Sequence, residues 1–266
     1  MYLMGTADSP MWLHIGGGVM VGMGVAAGSF GIILSVFARN VTPEKRSLVF
    51  GIGTAAGSAG MFLFAPISVA LIDSFGWSST LIMLSAIMLI IPVLAAPLYG
   101  NAASSPQSAA EFEQTIGEAL REALGHSSYL LLIAGFFVCG FQVAFITAHF
   151  PAFVTEMCGP IQPGGVLHSI GVTSTSALGA LSISLIGLAN IGGTLVAGWA
   201  GTHFPEKYLL AAVYTARTIA VAGFILFPIT PVSVVVFSLV MGSLWLATIP
   251  LTSGLVAHLY GLRYMG

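Results

Sequence analysis

Apolar residues in this chain come in long, nearly unbroken runs, each about as long as a bilayer crossing. A helix rises about 1.5 Å per residue and the hydrocarbon core is about 30 Å thick, so roughly 20 apolar residues span it. Seven runs qualify: Met11 to Phe37, Leu48 to Ile72, Ser79 to Leu98, Tyr129 to Phe153, Leu178 to Ala200, Tyr208 to Phe227, and Val232 to Leu259. The alternating segments of about ten residues that build an outer-membrane barrel are absent. The pattern predicts an all-α polytopic membrane protein of seven transmembrane helices.

Composition sharpens this. Of 266 residues, 57% are hydrophobic and 6% charged, too few charges to coat a water-soluble globule of this size. A net charge of −2 offers nucleic acid no basic surface, so the expected partners are the lipid bilayer and a small-molecule substrate. Cys139 falls inside a span and Cys158 in a loop, a placement that argues against a structural disulfide. No cofactor motif appears, and no second His, Cys or acid lies at metal-ligand spacing from His168, so neither a cofactor nor a metal is expected.

The loop charges set an orientation. Arg39, Lys45 and Arg46 follow span one, Arg121 follows span three, Lys207 precedes span six and Arg263 follows span seven, all on one side. The opposite loops hold Asp8, Asp73 and Glu156 without any Lys or Arg. By the positive-inside rule the basic side is cytoplasmic, which puts the N-terminus outside and the C-terminus inside. Both ends read as the stumps of interrupted helices.

Residues 100–128 form the one substantial soluble segment. It opens with NAASSPQSAA, of linker composition, and continues with Phe112, Ile116, Leu120 and Leu124 at every fourth position against Glu113, Glu118, Arg121 and Glu122. That spacing predicts a short amphipathic helix on the cytoplasmic face, acting as a spacer between two helical bundles, residues 1–99 and 129–266. Glycines cluster on three spans: Gly18 and Gly22, four apart, in span one, Gly53, Gly57 and Gly60 in span two, and Gly192 and Gly198 in span five. Such faces let helix backbones approach closely and slide past one another.

The stretch FARNVTPEKRSLVFGIGTAAGSAGMFLFAPISVALIDSFGWSS resembles the fourth-to-sixth helix region of the major facilitator superfamily. The residues that carry the match are Phe37, Arg39, Pro43, Glu44, Arg46, Gly51, Gly57, Gly60, Pro66, Gly76 and Trp77. GWAGTHFPEK, Gly198 to Lys207, is placed like the loop between that superfamily's eighth and ninth helices, with Thr202 and His203 where its pattern has Asp and Arg. Phe136 to Val154 looks like the seventh helix of the monocarboxylate-porter and oxalate:formate-antiporter branch. The resemblance implies helices four to ten of twelve. It also implies a secondary active transporter of a small organic solute, an organic anion such as a monocarboxylate, working by alternating access in the plasma membrane, the inner membrane of a bacterium. Whether it runs as symporter or antiporter is left open.

Substrate sites in such transporters lie near the midplane, lined by polar side chains that lipid would penalise. The candidates are Gln142, Thr147 and His149 in span four, Asn190 in span five, and Ser243, Trp245, Thr248 and Thr252 in span seven, where Pro250 frees a backbone carbonyl one turn earlier. No Asp or Glu lies deep in a span, so the coupling ion is open and His149 is the one titrating residue near a cavity. Arg217 lies about 15 Å along its helix from Lys207, near the midplane. Because the resemblance assigns its helix to the outer supporting set, a structural role is expected ahead of anion binding.

Other classes fare worse. A retinal protein needs a Schiff-base lysine that span seven lacks. An intramembrane hydrolase would rest on Ser253 with His258, five residues apart and off one helical face, so no enzymatic activity is expected. The remaining alternative is an inactive truncated fragment.

Overall fold

The computed structural model describes residues 1–28, 30–96 and 116–260. Every element is helical, and no strand occurs among the described residues. In chain order these are α1 (Tyr2–Gly5), α2 (Pro10–His14), a π-helical turn (Ile15–Met20), α3 (Val21–Ala27), α4 (Phe30–Asn40), a 3₁₀ turn (Pro43–Lys45) and α5 (Arg46–Met88). There follow α6 (Ile90–Ala95), α7 (Ile116–Gly125), α8 (Ser127–Met157), α9 (Val166–Ser169), α10 (Thr175–Gly201), α11 (Glu206–Leu226), α12 (Pro231–Leu244) and α13 (Thr248–Tyr260).

Five stretches among the described residues are long and apolar enough to cross a membrane: Pro43–Leu94, Ser127–Met157, Thr175–Gly201, Glu206–Leu226 and Pro231–His258. They account for six of the seven expected spans, because the first covers spans two and three. Within it, α5 is two helices joined at Gly76, whose φ of 76° and ψ of 164° belong to no helix and suit a residue without Cβ.

Span one departs from the expected continuous helix. The structure divides it into α2, the π turn, α3 and α4, with non-helical angles at Gly28 (φ −93°, ψ 21°). Glycine density is the physical reason, since each glycine in a helix interior costs about 1 kcal/mol relative to alanine. The π turn falls on Gly16, Gly17 and Gly18. Span seven also differs from expectation, being interrupted between α12 and α13.

The described chain forms two compact units, one of residues 1–29 and 68–131, the other of residues 30–67 and 132–266. In the first unit, Gly5 lies against Ser78, whose hydroxyl donates to the Gly5 carbonyl, and Met4 covers Gly16. α7 occupies the C-terminal part of the expected amphipathic helix, while the linker residues 97–115, Phe112 and Glu113 among them, lie outside the described residues, as does Arg263.

The second unit holds the core. Ile146, Phe150 and Val154 of α8, Leu178 and Ile186 of α10, and Val234, Phe237, Met241 and Trp245 are buried together. Phe224 of α11 stacks on Phe237 with ring centroids 4.3 Å apart. Large apolar side chains such as Leu131, Phe137 and Phe141 are exposed along α8.

Backbones meet closely at several glycines. A Cβ on Gly198 would lie 2.8 Å from the Ser47 carbonyl and 3.0 Å from the Gly51 Cα, so α5 and α10 touch main chain to main chain. Gly193 stands against the Ser243 backbone in the same way, joining α10 to α12. Gly53 and Gly57 receive the rings of Phe37 and Phe30. Gly18, Gly22, Gly60 and Gly192 have no atom within 4 Å of an added Cβ, so their spacing does not mark a close contact among the described residues.

Gly198→Leu is therefore expected to overpack the α5–α10 contact and cost about 1–3 kcal/mol or more, whereas Gly192→Leu should be tolerated. Melting temperatures of the two variants in detergent, followed by circular dichroism, check this. Equal melting of both would show that the contact is looser than drawn.

Candidate functional site

The interruption of span seven lies where Pro250 removes a donor. Proline has no N–H for the carbonyl four residues before it, and its ring crowds that carbonyl. The Leu246 carbonyl accepts instead from the Ile249 N–H at 3.0 Å. Helical bonding stops at Leu244 and resumes at Thr248, leaving backbone groups that must find partners elsewhere. In hydrocarbon an unpartnered backbone group costs several kcal/mol, so non-helical backbone survives only where protein satisfies it.

Arg217 of α11 supplies the donors. Its side chain is 2% exposed. Nε donates to the Leu244 carbonyl at 3.0 Å and Nη2 donates to the same oxygen at 2.7 Å. Nη2 also donates to the Trp245 carbonyl. The guanidinium thus sits on the C-terminal end of α12, where the helix dipole is negative and a cation is favoured. Nη1 donates to Cys139 Sγ of α8 at 3.1 Å, and that sulfur lies 3.3 Å from Thr248 Oγ1, the first residue of α13. The Tyr214 ring lies 5.8 Å from the guanidinium carbon, and its hydroxyl donates to the Gly135 carbonyl at 3.0 Å.

Asn190 of α10 supplies the acceptor. Its side chain is fully buried, and Oδ1 accepts from the Leu246 N–H at 2.9 Å. Nδ2 donates to Ser58 Oγ of α5 at 2.7 Å. Ser58 Oγ donates in turn to the Thr54 carbonyl at 2.9 Å, and Thr54 Oγ1 to the Phe50 carbonyl at 2.8 Å. Asn190, Ser58, Thr54 and Phe50 are all buried, and each bond of the chain runs in the same direction. The interrupted helix is held from two sides, by a cation on its carbonyls and by an amide on its N–H.

The other candidates divide by position. Trp245 and Thr248 are buried at the break beside Asn190 and Arg217. Thr252 Oγ1 is buried with no partner among the described residues. Ser243 is exposed and donates to the Leu239 carbonyl at 2.9 Å, and Thr147 is exposed and donates to the Val143 carbonyl at 2.8 Å, each within its own helix. Gln142 is half-buried and His149 exposed, seven residues apart on one face of α8, and neither side chain hydrogen-bonds among the described residues. The His149 ring lies tilted by 48° against Phe145, with centroids 4.9 Å apart. Ser253 and His258 share no hydrogen bond among the described residues.

Sequence reasoning missed Cys139 and Ser58 as members of the cluster. Pro250 signalled the freed carbonyl, but nothing in the spacing of 58, 139, 190 and 217 indicated that four helices meet there.

Arg217→Met keeps the length of the side chain and removes its donors, which leaves the Leu244 and Trp245 carbonyls unpaired at about 1–3 kcal/mol each. The expected result is a lower fraction of monodisperse protein after brief heating, with Arg217→Lys intermediate because one ammonium cannot reproduce the planar fork. Size-exclusion chromatography of the heated variants measures it, and parent-like survival of Arg217→Met would refute the bracing role.

The comparison with protein families agrees with this architecture of long apolar helices. No curated protein and no solved structure matches the chain. The family model described as Major Facilitator Superfamily matches residues 1–266. The chain belongs to the Major Facilitator Superfamily, which makes it an integral membrane protein and a secondary transporter of small solutes.

Proposed function

We propose that the transported solute is a small organic anion such as a monocarboxylate, carried by alternating access with the basic loops on the cytoplasmic side. The observation that carries the reading is the α8 face of Gln142 and His149. Both are polar, both lie in a 31-residue helix that is otherwise almost wholly apolar, and neither has a hydrogen-bond partner among the described residues. Polar groups of this kind are retained in membrane helices where they face a water-filled path. Gln142 offers an amide donor and His149 a ring N–H, the groups that a carboxylate accepts from.

Asn190, Trp245 and Thr248 serve this reading less directly, since their surroundings at the break are already occupied by protein. Ser243, Thr147 and Thr252 supply hydroxyls for secondary contacts. The two-bundle division at residues 99 and 129, the N-outside orientation and a plasma-membrane location belong to the same proposal. The orientation is supported by Lys45, Arg46, Arg121 and Lys207 on one side and Asp8, Asp73 and Glu156 on the other.

Uptake of labelled small monocarboxylates into proteoliposomes tests the substrate class. The expected outcome is saturable flux, with Gln142→Ala and His149→Ala each raising the apparent KM about tenfold, the effect of one hydrogen bond to a charged group. Absence of flux with every carboxylate, alongside flux of a neutral solute, would remove the anion and leave the transporter.

A further inference from the structure

We propose that the break between α12 and α13 is a hinge of the transport cycle, and that Ser58 and Asn190 are the positioning residues that latch it closed. The inference rests on the transport reading above, but the latch itself is a property of four helices that can be tested without any substrate.

The hydrogen-bond chain makes the break conditional on α5. Leu246 N–H donates to Asn190 Oδ1, which fixes which end of the amide faces the break, because the reversed amide would set two donors against each other. Nδ2 is thereby directed at Ser58 Oγ, which accepts at 2.7 Å and uses its own proton on the Thr54 carbonyl. Ser58 is 2% exposed and Asn190 0%, so neither side chain has water as an alternative partner. Losing the Ser58 hydroxyl leaves the amide short of an acceptor and free to turn away from Leu246.

The two braces differ in kind. Arg217 reaches the break from α11, adjacent in sequence to α12. Asn190 relays it to a helix 132 residues away, one that the proposed division assigns to the other bundle. Around this link the helices meet main chain to main chain at Gly51 and Gly198, where no long side chains interlock. Separation of α5 from α10 would break the Ser58–Asn190 bond and release Leu246, while Arg217 continued to hold the carbonyls. Rearrangement of the break is thereby coupled to movement between α5 and α10.

A native cysteine reports on the break. Cys139 is 4% exposed, and its sulfur lies between Arg217 and Thr248, so an alkylating reagent reaches it when α13 moves away. With Cys158→Ser as the parent background, in lipid vesicles without substrate, Cys139 is alkylated by N-ethylmaleimide and the rate is read by mass spectrometry. Ser58→Ala is expected to speed alkylation about fivefold, the factor for one net hydrogen bond, and Ser58→Thr, which keeps the hydroxyl, to restore the parent rate. Parent-like alkylation in a folded Ser58→Ala protein would overturn the latch, as would a faster rate that Ser58→Thr does not restore.

Should Ser58→Ala not fold, the parent alone decides. Alkylation that depends only weakly on added denaturant is local opening at the break and supports the hinge. Alkylation that follows global unfolding overturns it. Failure of carboxylate flux, by contrast, touches only the substrate class and leaves these labelling outcomes unchanged.

Discussion

A transmembrane helix that stops and restarts within the bilayer has to satisfy its broken backbone from protein, and this requirement organises the second unit. The carbonyls of Leu244 and Trp245 and the N–H of Leu246 are the groups at stake. Water is excluded, so the partners are side chains on neighbouring helices, and those helices must stand at the distance the hydrogen bonds dictate. Arg217 fixes α11 and, through Cys139, α8. Asn190 fixes α10 and, through Ser58, α5. The Phe150, Phe224 and Phe237 rings and the buried Trp245 fill the space that this frame leaves. The intramembrane charge is thus accounted for by geometry: its cost is offset by a helix C-terminus and two carbonyls that would otherwise be unpaired.

Much of this fold was legible in the sequence, because apolar run length is a strong signal and survives any arrangement of the helices. The spans at Tyr129 to Phe153, Leu178 to Ala200 and Tyr208 to Phe227 lie within or nearly coincide with α8, α10 and α11. Breaks were harder to foresee. Pro250 announced a freed carbonyl at Leu246, yet hydropathy runs straight through residues 245–247 and cannot register a lost hydrogen bond. In span one the glycines that suggested close packing at Gly18 and Gly22 instead coincide with weak helix, a π turn and the irregular Gly28. Spacing of small residues identifies where backbones are able to approach; whether they do depends on what stands opposite, which only coordinates supply. Gly198 meets Gly51, while Gly192, six residues earlier, meets nothing within 4 Å.

The candidate site was legible in its residue types and not in its grouping. Asn190 and Arg217 are costly in lipid wherever they stand, so each was conspicuous alone. Cys139 and Ser58 are cheap in a membrane helix and gave no signal, although they complete the two branches of the network.

Hydroxyl side chains in the spans behave differently from amides and guanidinium for a reason of valence. Thr54, Ser58, Thr147, Thr155, Thr194, Thr218, Ser238 and Ser243 each donate to the carbonyl four residues back, which disposes of their single proton within the helix. Asn190 and Arg217 carry more donors than one turn of their own helix accepts, so they bond outward and join helices. By the same arithmetic Gln142, with two amide protons and a carbonyl, cannot be satisfied by one carbonyl four residues back, and His149 turns its ring onto Phe145 without a hydrogen bond among the described residues. Their unspent capacity on one face of α8 is the physical ground on which solute contact is proposed there, while the guanidinium and amide at the helix break are already spent on its backbone.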